Sequence, residues 1–453
     1  MGSTDDASIQ VNEDGFRVHH LSEHDFNLAS ISPNAINVVH RLKAQGHQAY
    51  LVGGCVRDLL LDREPKDFDV ATSALPEEVR QLFRNSRLIG RRFRLVHIRF
   101  GREIIEVATF RGSGSGDKRQ HESSHKIHED GRILRDNVYG SMDEDAVRRD
   151  FTVNALYLDP EAEIVLDRVC GMSDHQNRVL RLIGQPEERY REDPVRLLRA
   201  IRFASKLDFE IEHETLQPIS TLGSLLSGVP QARLYEEILK LFLSGHARKT
   251  FDDLRRYDLL KQLFPQTHQL LTEAGQESLQ QLISLALQST DSRIEQNKPV
   301  TAYFLFAAML WGGIEKAVRN RPESENEYLA TQTAMNEVLR KQAHAVALPK
   351  RATIPMREVW TLQPRFQQKR GGKPHRLLEH PRFRAAYDFI LLRAETGAVQ
   401  PELAEWWTRF QTVSAAQRRK MTQTNQRRLL RRKSASKSLS DEQGSVVSKS
   451  GDA

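Results

Sequence analysis

The chain has 453 residues, of which 39% are hydrophobic and 28% charged, with two cysteines and a net charge of +7. This length predicts two to four domains with hydrophobic cores of their own. Two cysteines exclude a disulfide scaffold and a cysteine-rich zinc site, and no segment approaches the ~20 apolar residues that span a bilayer. The polar N-terminus lacks the apolar core of a signal peptide, so we expect a cytoplasmic protein.

The chain begins with a segment of weak periodicity, residues 1–31, which we expect to be flexible. A helix is predicted to begin at Ser32–Pro33, because serine is favoured at the N-cap and proline in the first turn. A short strand, 48–52, then leads into the glycine pair Gly53 and Gly54. Such a pair is usually an ordinary turn, but it also lets phosphate groups approach the backbone closely.

Three carboxylates follow the glycine pair. Asp67 and Asp69 are two residues apart, and Glu106 lies inside a predicted hairpin of strands 95–100 and 104–110. Residues two apart in a strand share a face, so we expect Asp67 and Asp69 to point the same way. Each feature alone has an ordinary explanation as solvated surface acid. Together with the glycine turn, the carboxylates can hold Mg²⁺ and a polyphosphate.

Beyond about residue 185 the pattern becomes helical and stays so to about residue 410. Asp193 and Pro194 predict a helix start, and Arg196 and Arg199 then recur on one helix face. Such arginines usually form a solvated face, but beside an acidic N-cap they also suit a base or phosphate site.

The sequence contains neither the P-loop pattern nor a dinucleotide-binding glycine motif after a strand. The combination of glycine turn, carboxylates and arginines fits two-metal nucleotidyl transfer, in which two Mg²⁺ ions assist attack by a 3′-hydroxyl and departure of pyrophosphate.

Five ordered segments resemble the class II nucleotidyltransferases of the polymerase β superfamily, which comprise bacterial poly(A) polymerases and tRNA CCA-adding enzymes. The segments lie at 51–60 with 66–70, 90–93, 106–111, 145–154 and 192–203. The resemblance implies an α+β fold, with a polymerase β-like head (a small mixed sheet with helices) followed by an all-helical neck, body and leg. The implied divisions are a flexible N-terminus 1–31, head 32–157, neck 158–230 with base- and RNA-binding helices, body 231–320, RNA-binding leg 321–411 and a disordered basic tail 412–453.

The resemblance also implies roles for individual residues. Asp67 and Asp69 match the catalytic, metal-binding pair, and Glu106 and Asp150 compete for the role of third carboxylate. One position departs from the family pattern, because His175 stands where leucine is usual. The residues implied to bind ATP are Gly53, Gly54, Arg57, Asp58, Arg91, Arg149, Asp193, Arg196 and Arg199.

The C-terminal part favours one branch of the family. Segments at 348–351, 377–388 and 392–395 are similar to proteobacterial poly(A) polymerases, and residues 411–453 hold ten Lys or Arg against three acids. Basic tails of this kind bind polyanions by releasing counterions. The tail residues expected to bind RNA are Arg427, Arg428, Arg431, Arg432 and Lys433.

The expected activity is therefore that of a polynucleotide adenylyltransferase, which adds AMP from ATP to RNA 3′ ends and thereby promotes RNA turnover. Mg²⁺ is the expected cofactor, with Mn²⁺ as a substitute. Expected partners are RNA 3′ ends and ATP, with RNA-degradation machinery or a membrane surface as further partners of the tail. The alternatives are a tRNA CCA-adding enzyme and a non-catalytic RNA-binding scaffold.

Overall fold

The computed structural model describes residues 10–24, 26–90, 94–112, 125–127, 133–136, 138–322 and 326–423. The chain divides after Leu263 into two compact units, 1–263 and 264–453. The first combines strands with helices, and in its described part the second is helical. The predicted α+β fold class is confirmed. None of the described helices is both long enough and apolar enough to span a membrane.

The strands all belong to the first unit. In chain order they are β1 (Gln10–Val11), β2 (Arg17–His20), β3 (Ala49–Val52), β4 (Phe68–Thr72), β5 (Ser86–Ile89), β6 (Leu95–Phe100), β7 (Glu103–Thr109), β8 (His125–Ile127), β9 (Ile133–Asp136), β10 (Leu156–Asp159), β11 (Ile164–Asp167), β12 (Val179–Leu180) and β13 (Glu210–Ile211).

Among the described residues, nine strands form one mixed sheet in the order β1-β2-β11-β10-β3-β4-β7-β6-β5. Strands β4 and β7 are parallel, and the other neighbours are antiparallel. The hairpin predicted from the alternating pattern corresponds to β6 and β7. The small strands pair separately, β8 with β9 and β12 with β13.

The sheet extends beyond the expected head, 32–157, at both ends. Strand β2 lies in the segment that we expected to be flexible, and it pairs with β11, which begins after residue 157. Val18 lies opposite Leu166 in this pairing. The sequence pattern did not reveal β2, because it is only four residues long and carries polar residues at three of its four positions.

The helices of the first unit are α1 (Pro33–Lys43), α2 (Gly54–Leu60), α3 (Pro76–Leu82), α4 (Met142–Arg148), α5 (Gly171–Gln176), α6 (Pro186–Glu192), α7 (Val195–Leu207), α8 (His213–Leu216), α9 (Pro218–Leu222), α10 (Gln231–Phe242), α11 (Ala247–Arg256) and α12 (Leu260–Leu263). Those of the second unit are α13 (Pro265–Thr272), α14 (Glu277–Glu295), α15 (Ala302–Arg319), α16 (Glu327–Ala345), α17 (Lys350–Leu362), α18 (Lys373–Leu378), α19 (Phe383–Glu395), α20 (Pro401–Thr412) and α21 (Ala415–Thr422).

Helix α1 begins as its sequence predicts and anchors one face of the sheet. The Ser32 hydroxyl accepts hydrogen bonds from the backbone N–H groups of Asn34 and Ala35. Its apolar residues recur at helical spacing and are buried in one core with residues of β3 and β4. This core fixes the start of β4, where the first candidate carboxylates lie. In the same unit, α7 packs against α10 and α11 and carries Arg196 and Arg199, while Asp193 lies just before it.

Candidate active site

The glycine pair forms the tight connection between β3 and α2. Gly53 has φ +80° and ψ −130° and is the N-cap of α2, which begins at Gly54. Other residues rarely adopt this conformation, so the turn depends on glycine. A Cβ at Gly53 would lie 3.7 Å from Arg149 Nη1 and 3.9 Å from the Asn154 carbonyl oxygen. The turn therefore lies directly beside the Arg149 guanidinium group.

Two carboxylates stand side by side on the neighbouring parallel strands. Asp69 of β4 lies directly opposite Glu106 of β7. Burial and then the negative charge of Glu106 raise the pKa of Asp69 to about 6. A nearby cation would relieve this repulsion, so the pair suits a hard divalent metal with oxygen ligands.

Asp67 directly precedes β4, which begins at Phe68. Its alignment with Asp69 and its role as a metal ligand stay predictions. Asp67 is exposed and lines a neighbouring cavity of about 720 Å³ together with Lys66 and Arg102. Its charge still contributes to raising the pKa of Asp69. Among the described residues, no three His, Cys, Asp or Glu side chains form a ready-made metal cluster.

Arg149 is held beside the glycine turn by a buried network. Its Nε donates hydrogen bonds to Asp145 Oδ2 at 3.1 Å and to the Tyr157 hydroxyl at 3.0 Å. Its Nη2 donates to Asp145 Oδ2 at 2.8 Å. Burial opposes the charge, but Tyr157 and Asp145 raise the pKa of Arg149 above its ordinary value. The network thus keeps a fixed positive charge near Gly53.

Arg57 is a second fixed cation, and it is only 3% exposed. Its Nη1 donates to Asn154 Oδ1 at 2.6 Å, and its Nε donates to Asp58 Oδ1 at 2.9 Å. Asp58 also contacts Lys206 Nζ at 3.4 Å. Asp58 therefore orients Arg57 rather than facing the cavity. His175, the departure from the family pattern, lies behind Arg57, with its Nε2 3.3 Å from the Arg57 carbonyl oxygen.

Asp150 is engaged in an ion pair. Its Oδ2 lies 2.5 Å from Arg199 Nη2, and its Oδ1 accepts the backbone N–H of Phe151 at 2.9 Å. Although burial opposes ionisation, Arg199 holds the pKa of Asp150 below its usual value. Of the two competitors for the third-carboxylate role, Glu106 is the one that stands directly beside Asp69.

Asp193 precedes α7 and binds an arginine that the sequence did not reveal. Both its oxygens accept hydrogen bonds from Arg233 of α10, at 2.8 and 2.6 Å. Although burial opposes ionisation, Arg233 holds the pKa of Asp193 below its ordinary value. Arg196 is anchored by Glu192 Oε2 at 2.8 Å. Since Arg233 lies 40 residues after Asp193, no local pattern links the two.

Most of the predicted site residues line one cavity of about 460 Å³. The predicted residues that line it are Gly53, Gly54, Arg57, Asp69, Glu106, Arg149, Asp150, Asp193, Arg196 and Arg199. Asp67 and Asp58 do not line it, and Arg91 lies outside the described residues. The expected RNA-binding residues of the tail, Arg427, Arg428, Arg431, Arg432 and Lys433, also lie outside them.

Sequence reasoning missed six polar residues of the cavity wall: Arg111, Asp145, Arg148, Asn154, Glu192 and Arg233. Asp145 and Asn154 are the first and last residues of the segment 145–154. The resemblance of that segment to the family could have identified both as site residues. In all, seven arginines and six carboxylates line the cavity. This balance suits a ligand that carries several negative charges and arrives with metal cations.

Family comparisons identify related proteins along most of the chain. Residues 49–181 match the poly A polymerase head domain, 208–271 a probable RNA and SrmB-binding site of polymerase A, and 323–438 the polymerase A arginine-rich C-terminus. Poly(A) polymerase I of Salmonella typhi is 48% identical over 403 residues, covering 88% of this chain and 86% of that protein. The chain belongs to the poly(A) polymerase I family. The enzyme of that name from Haemophilus influenzae is 45% identical over 410 residues and covers 90% of both proteins.

CCA-adding enzymes are more distant in sequence. That of Lactobacillus helveticus is 40% identical over 225 residues, covering 49% of this chain and 53% of that enzyme. Among solved structures, the Bacillus stearothermophilus CCA-adding enzyme in complex with CTP has a TM-score of 0.58 and 26% identity, covering 84% of this chain and 82% of that one. The family predicted from the sequence is thus confirmed. The chain is a nucleotidyltransferase of a kind that uses divalent metal ions.

Proposed function

We propose that the cavity transfers AMP from ATP to RNA 3′ ends without a template and releases pyrophosphate. The observation that carries the proposal is the pair Asp69 and Glu106, which stands in a cavity lined by seven arginines. Poly(A) polymerase I enzymes, which are 45–49% identical over most of the chain, support ATP and RNA as substrates. In the cell such tails would promote RNA turnover.

Asp69 and Glu106 would hold Mg²⁺, and we propose Asp67, whose charge acts on Asp69, as a further ligand. Mn²⁺ could replace Mg²⁺ because it accepts the same oxygen ligands. When bound, these ions lower the pKa of the attacking 3′-hydroxyl and stabilise the departing pyrophosphate. The fit rests on the strand register that places Asp69 opposite Glu106 in one cavity, and burial and the charge of Glu106 raise the pKa of Asp69 there.

The phosphates are proposed to bind at the glycine turn. Gly53 lies beside Arg149, and both line the same cavity as Arg57. Both guanidinium groups are already oriented, Arg149 by Asp145 and Arg57 by Asp58. Charges that are fixed before the reaction stabilise developing negative charge without reorganising. These arginines are proposed to neutralise the phosphate oxygens.

The adenine is proposed to bind between Asp193 and Arg196, whose side chains would hydrogen-bond its edge in place of a template. Both side chains line the cavity and are held by neighbours, Asp193 by Arg233 and Arg196 by Glu192. This anchoring limits their rotation, so the position of the donors and acceptors is set before the base arrives.

RNA upstream of the 3′ end is proposed to contact the second unit and the basic tail. Within the described segments 369–376 and 419–420 of this unit lie six cations that no ion pair of the structure includes: Lys369, Arg370, Lys373, Arg376, Arg419 and Lys420. A hydrogen bond of 2.9 Å from Gly371 N–H to the Thr422 carbonyl brings the two segments together. We call these six residues the leg cations. Contacts of this kind hold phosphates without sequence preference.

We also propose a location and further partners. The described structure has two free cysteines, Cys55 and Cys170, which suit the reducing cytoplasm. We propose RNA-degradation machinery as the protein partner of the tail, with peripheral membrane contact as the alternative. Co-purification with full-length protein and with a chain ending at residue 423 tests this.

The nucleotide and RNA preference can be tested in one assay. Purified protein is incubated with Mg²⁺, each NTP singly, and either an unstructured RNA or a tRNA lacking its CCA end. Long tails from ATP alone on unstructured RNA support the proposal. Incorporation confined to C-C-A on the tRNA would identify the CCA-adding alternative, which the solved structural relatives favour. No incorporation by folded protein would leave an RNA-binding scaffold.

A further inference from the structure

A histidine completes a row of side chains across three neighbouring strands. His97 of β6 lies opposite Glu106 of β7, and Glu106 lies opposite Asp69 of β4. Residues directly opposite one another in a sheet project from the same face. The three side chains therefore stand side by side, with Glu106 in the middle. No sequence motif indicated a role for His97.

The histidine and the glutamate are in direct contact. His97 Nε2 lies 3.0 Å from Glu106 Oε2, and the two side chains are 31% and 40% exposed. A carboxylate can only accept a hydrogen bond, so the proton of this bond is on Nε2 of His97. The bond occupies one oxygen of Glu106 and leaves Oε1 for another partner.

We propose that His97 is a positioning residue, which orients the Glu106 carboxylate toward a divalent metal ion beside Asp69. The proposal rests on the proposed function, because it requires that Glu106 is a metal ligand. Glutamate has three rotatable bonds, so without a second contact its carboxylate would sample many positions. Partners that hydrogen-bond to metal ligands typically change metal affinity or activity by about 10- to 100-fold when they are removed.

The same unit contains a matched pair in which no such role is expected. His40 Nδ1 lies 2.6 Å from Glu161 Oε1, and these side chains are 69% and 36% exposed. Neither residue lines the cavity. If His97 and Glu106 were only a surface pair, removing either histidine would have the same small effect.

The test measures metal binding directly. Free Mn²⁺ is titrated by electron paramagnetic resonance against full-length protein and α,β-methylene-ATP, an analogue that cannot release pyrophosphate. Wild type is compared with His97→Ala, His97→Leu, His97→Gln and His40→Ala. We expect His97→Ala and His97→Leu to weaken Mn²⁺ binding by about 10- to 100-fold. His97→Gln should stay within a few fold of wild type because its amide can still donate, and His40→Ala should be unchanged.

Activity provides a second readout. The Mg²⁺ concentration that gives half the maximal rate should rise in His97→Ala, while kcat at saturating Mg²⁺ stays within a few fold of wild type. A variant that merely disturbs the sheet would instead lower kcat and the melting temperature together. If His97→Ala does not fold, the comparison of His97→Leu with His97→Gln decides the matter.

The outcomes separate this inference from the proposed function. In one outcome, wild type binds Mn²⁺, Asp69→Asn does not, and His97→Ala binds as tightly as wild type. That result would show that the metal site is real and that the positioning role of His97 is wrong. If His97→Gln is as impaired as His97→Leu, the ring and not the hydrogen bond matters, which also overturns the proposal. If wild type itself binds no Mn²⁺ in the cavity, the proposed function fails.

Discussion

Replacing Asp69 with asparagine should stabilise the metal-free protein while abolishing its activity. Burial and the charge of Glu106 raise the pKa of Asp69 from 3.8 to about 6. Each pH unit in this interval corresponds to about 1.4 kcal/mol, so the ionised carboxylate destabilises the fold by about 2 to 3 kcal/mol at neutral pH. Asparagine has nearly the same shape and no charge, so Asp69→Asn should remove this cost.

The sign of the effect fixes its pH dependence. Because the pKa of Asp69 is raised on folding, the folded state binds the proton more tightly than the unfolded state. The stability from this proton is present below pH 3.8 and is lost as the pH rises through about 6. The advantage of Asp69→Asn should therefore be largest at pH 7.5 and fall below about 1 kcal/mol at pH 4.

Hydrogen exchange of peptides from β4 and β7, in EDTA, measures the free energy of opening where the charge lies. The second unit provides an internal control, because all four tryptophans, Trp311, Trp360, Trp406 and Trp407, belong to it. Their fluorescence should report the same unfolding midpoint in both proteins. Adding Mg²⁺ should reduce the difference in stability between Asp69→Asn and wild type, because only wild type would be stabilised by the ion. The reasoning would be refuted if Asp69→Asn were no more stable than wild type at pH 7.5. It would also be refuted if its gain in stability over wild type were the same at pH 4 and pH 7.5.

Three further predictions concern the base site, the glycine turn and the RNA-binding surface. Arg233→Ala should raise the KM for ATP by about 10- to 100-fold, since it removes two hydrogen bonds from the Asp193 carboxylate. An unchanged KM in steady-state kinetics would contradict this. The KM of Arg233→Lys should lie between those of wild type and Arg233→Ala. Gly53→Ala should destabilise the turn by about 1 to 3 kcal/mol because φ at this position is +80°. Amide hydrogen exchange in peptides from α2 that is as slow as in wild type would contradict this. Replacing Arg419 and Lys420 with glutamine should lower the slope of log Kd for unstructured RNA against log salt by about 0.7 per lost contact. Lys341→Gln, whose lysine already pairs with Glu337, should leave that slope unchanged.

The sequence predicted the parts of the site that depend on local patterns. The apolar alternation of 95–110 predicted a hairpin, and this hairpin places Glu106 on a strand beside Asp69. The glycine pair predicted a turn after a strand, and Gly53 has the positive φ that such a turn needs. These features involve residues close in the chain, where backbone geometry decides the outcome.

Features that depend on tertiary packing could not be predicted. Arg233 reaches Asp193 because α10 packs against α7, and nothing near either residue encodes this contact. The ion pair of Asp150 with Arg199 is of the same kind, because only the fold brings this arginine into reach.

The central claim is that Asp69 and Glu106 form the catalytic centre for AMP transfer. Its most direct test is a single-turnover measurement of AMP incorporation on unstructured RNA with Mg²⁺ and ATP. Asp69→Asn and Glu106→Gln should each slow the chemical step by at least about a thousandfold, with ATP binding largely retained. A rate within about tenfold of wild type in either folded variant would contradict the claim.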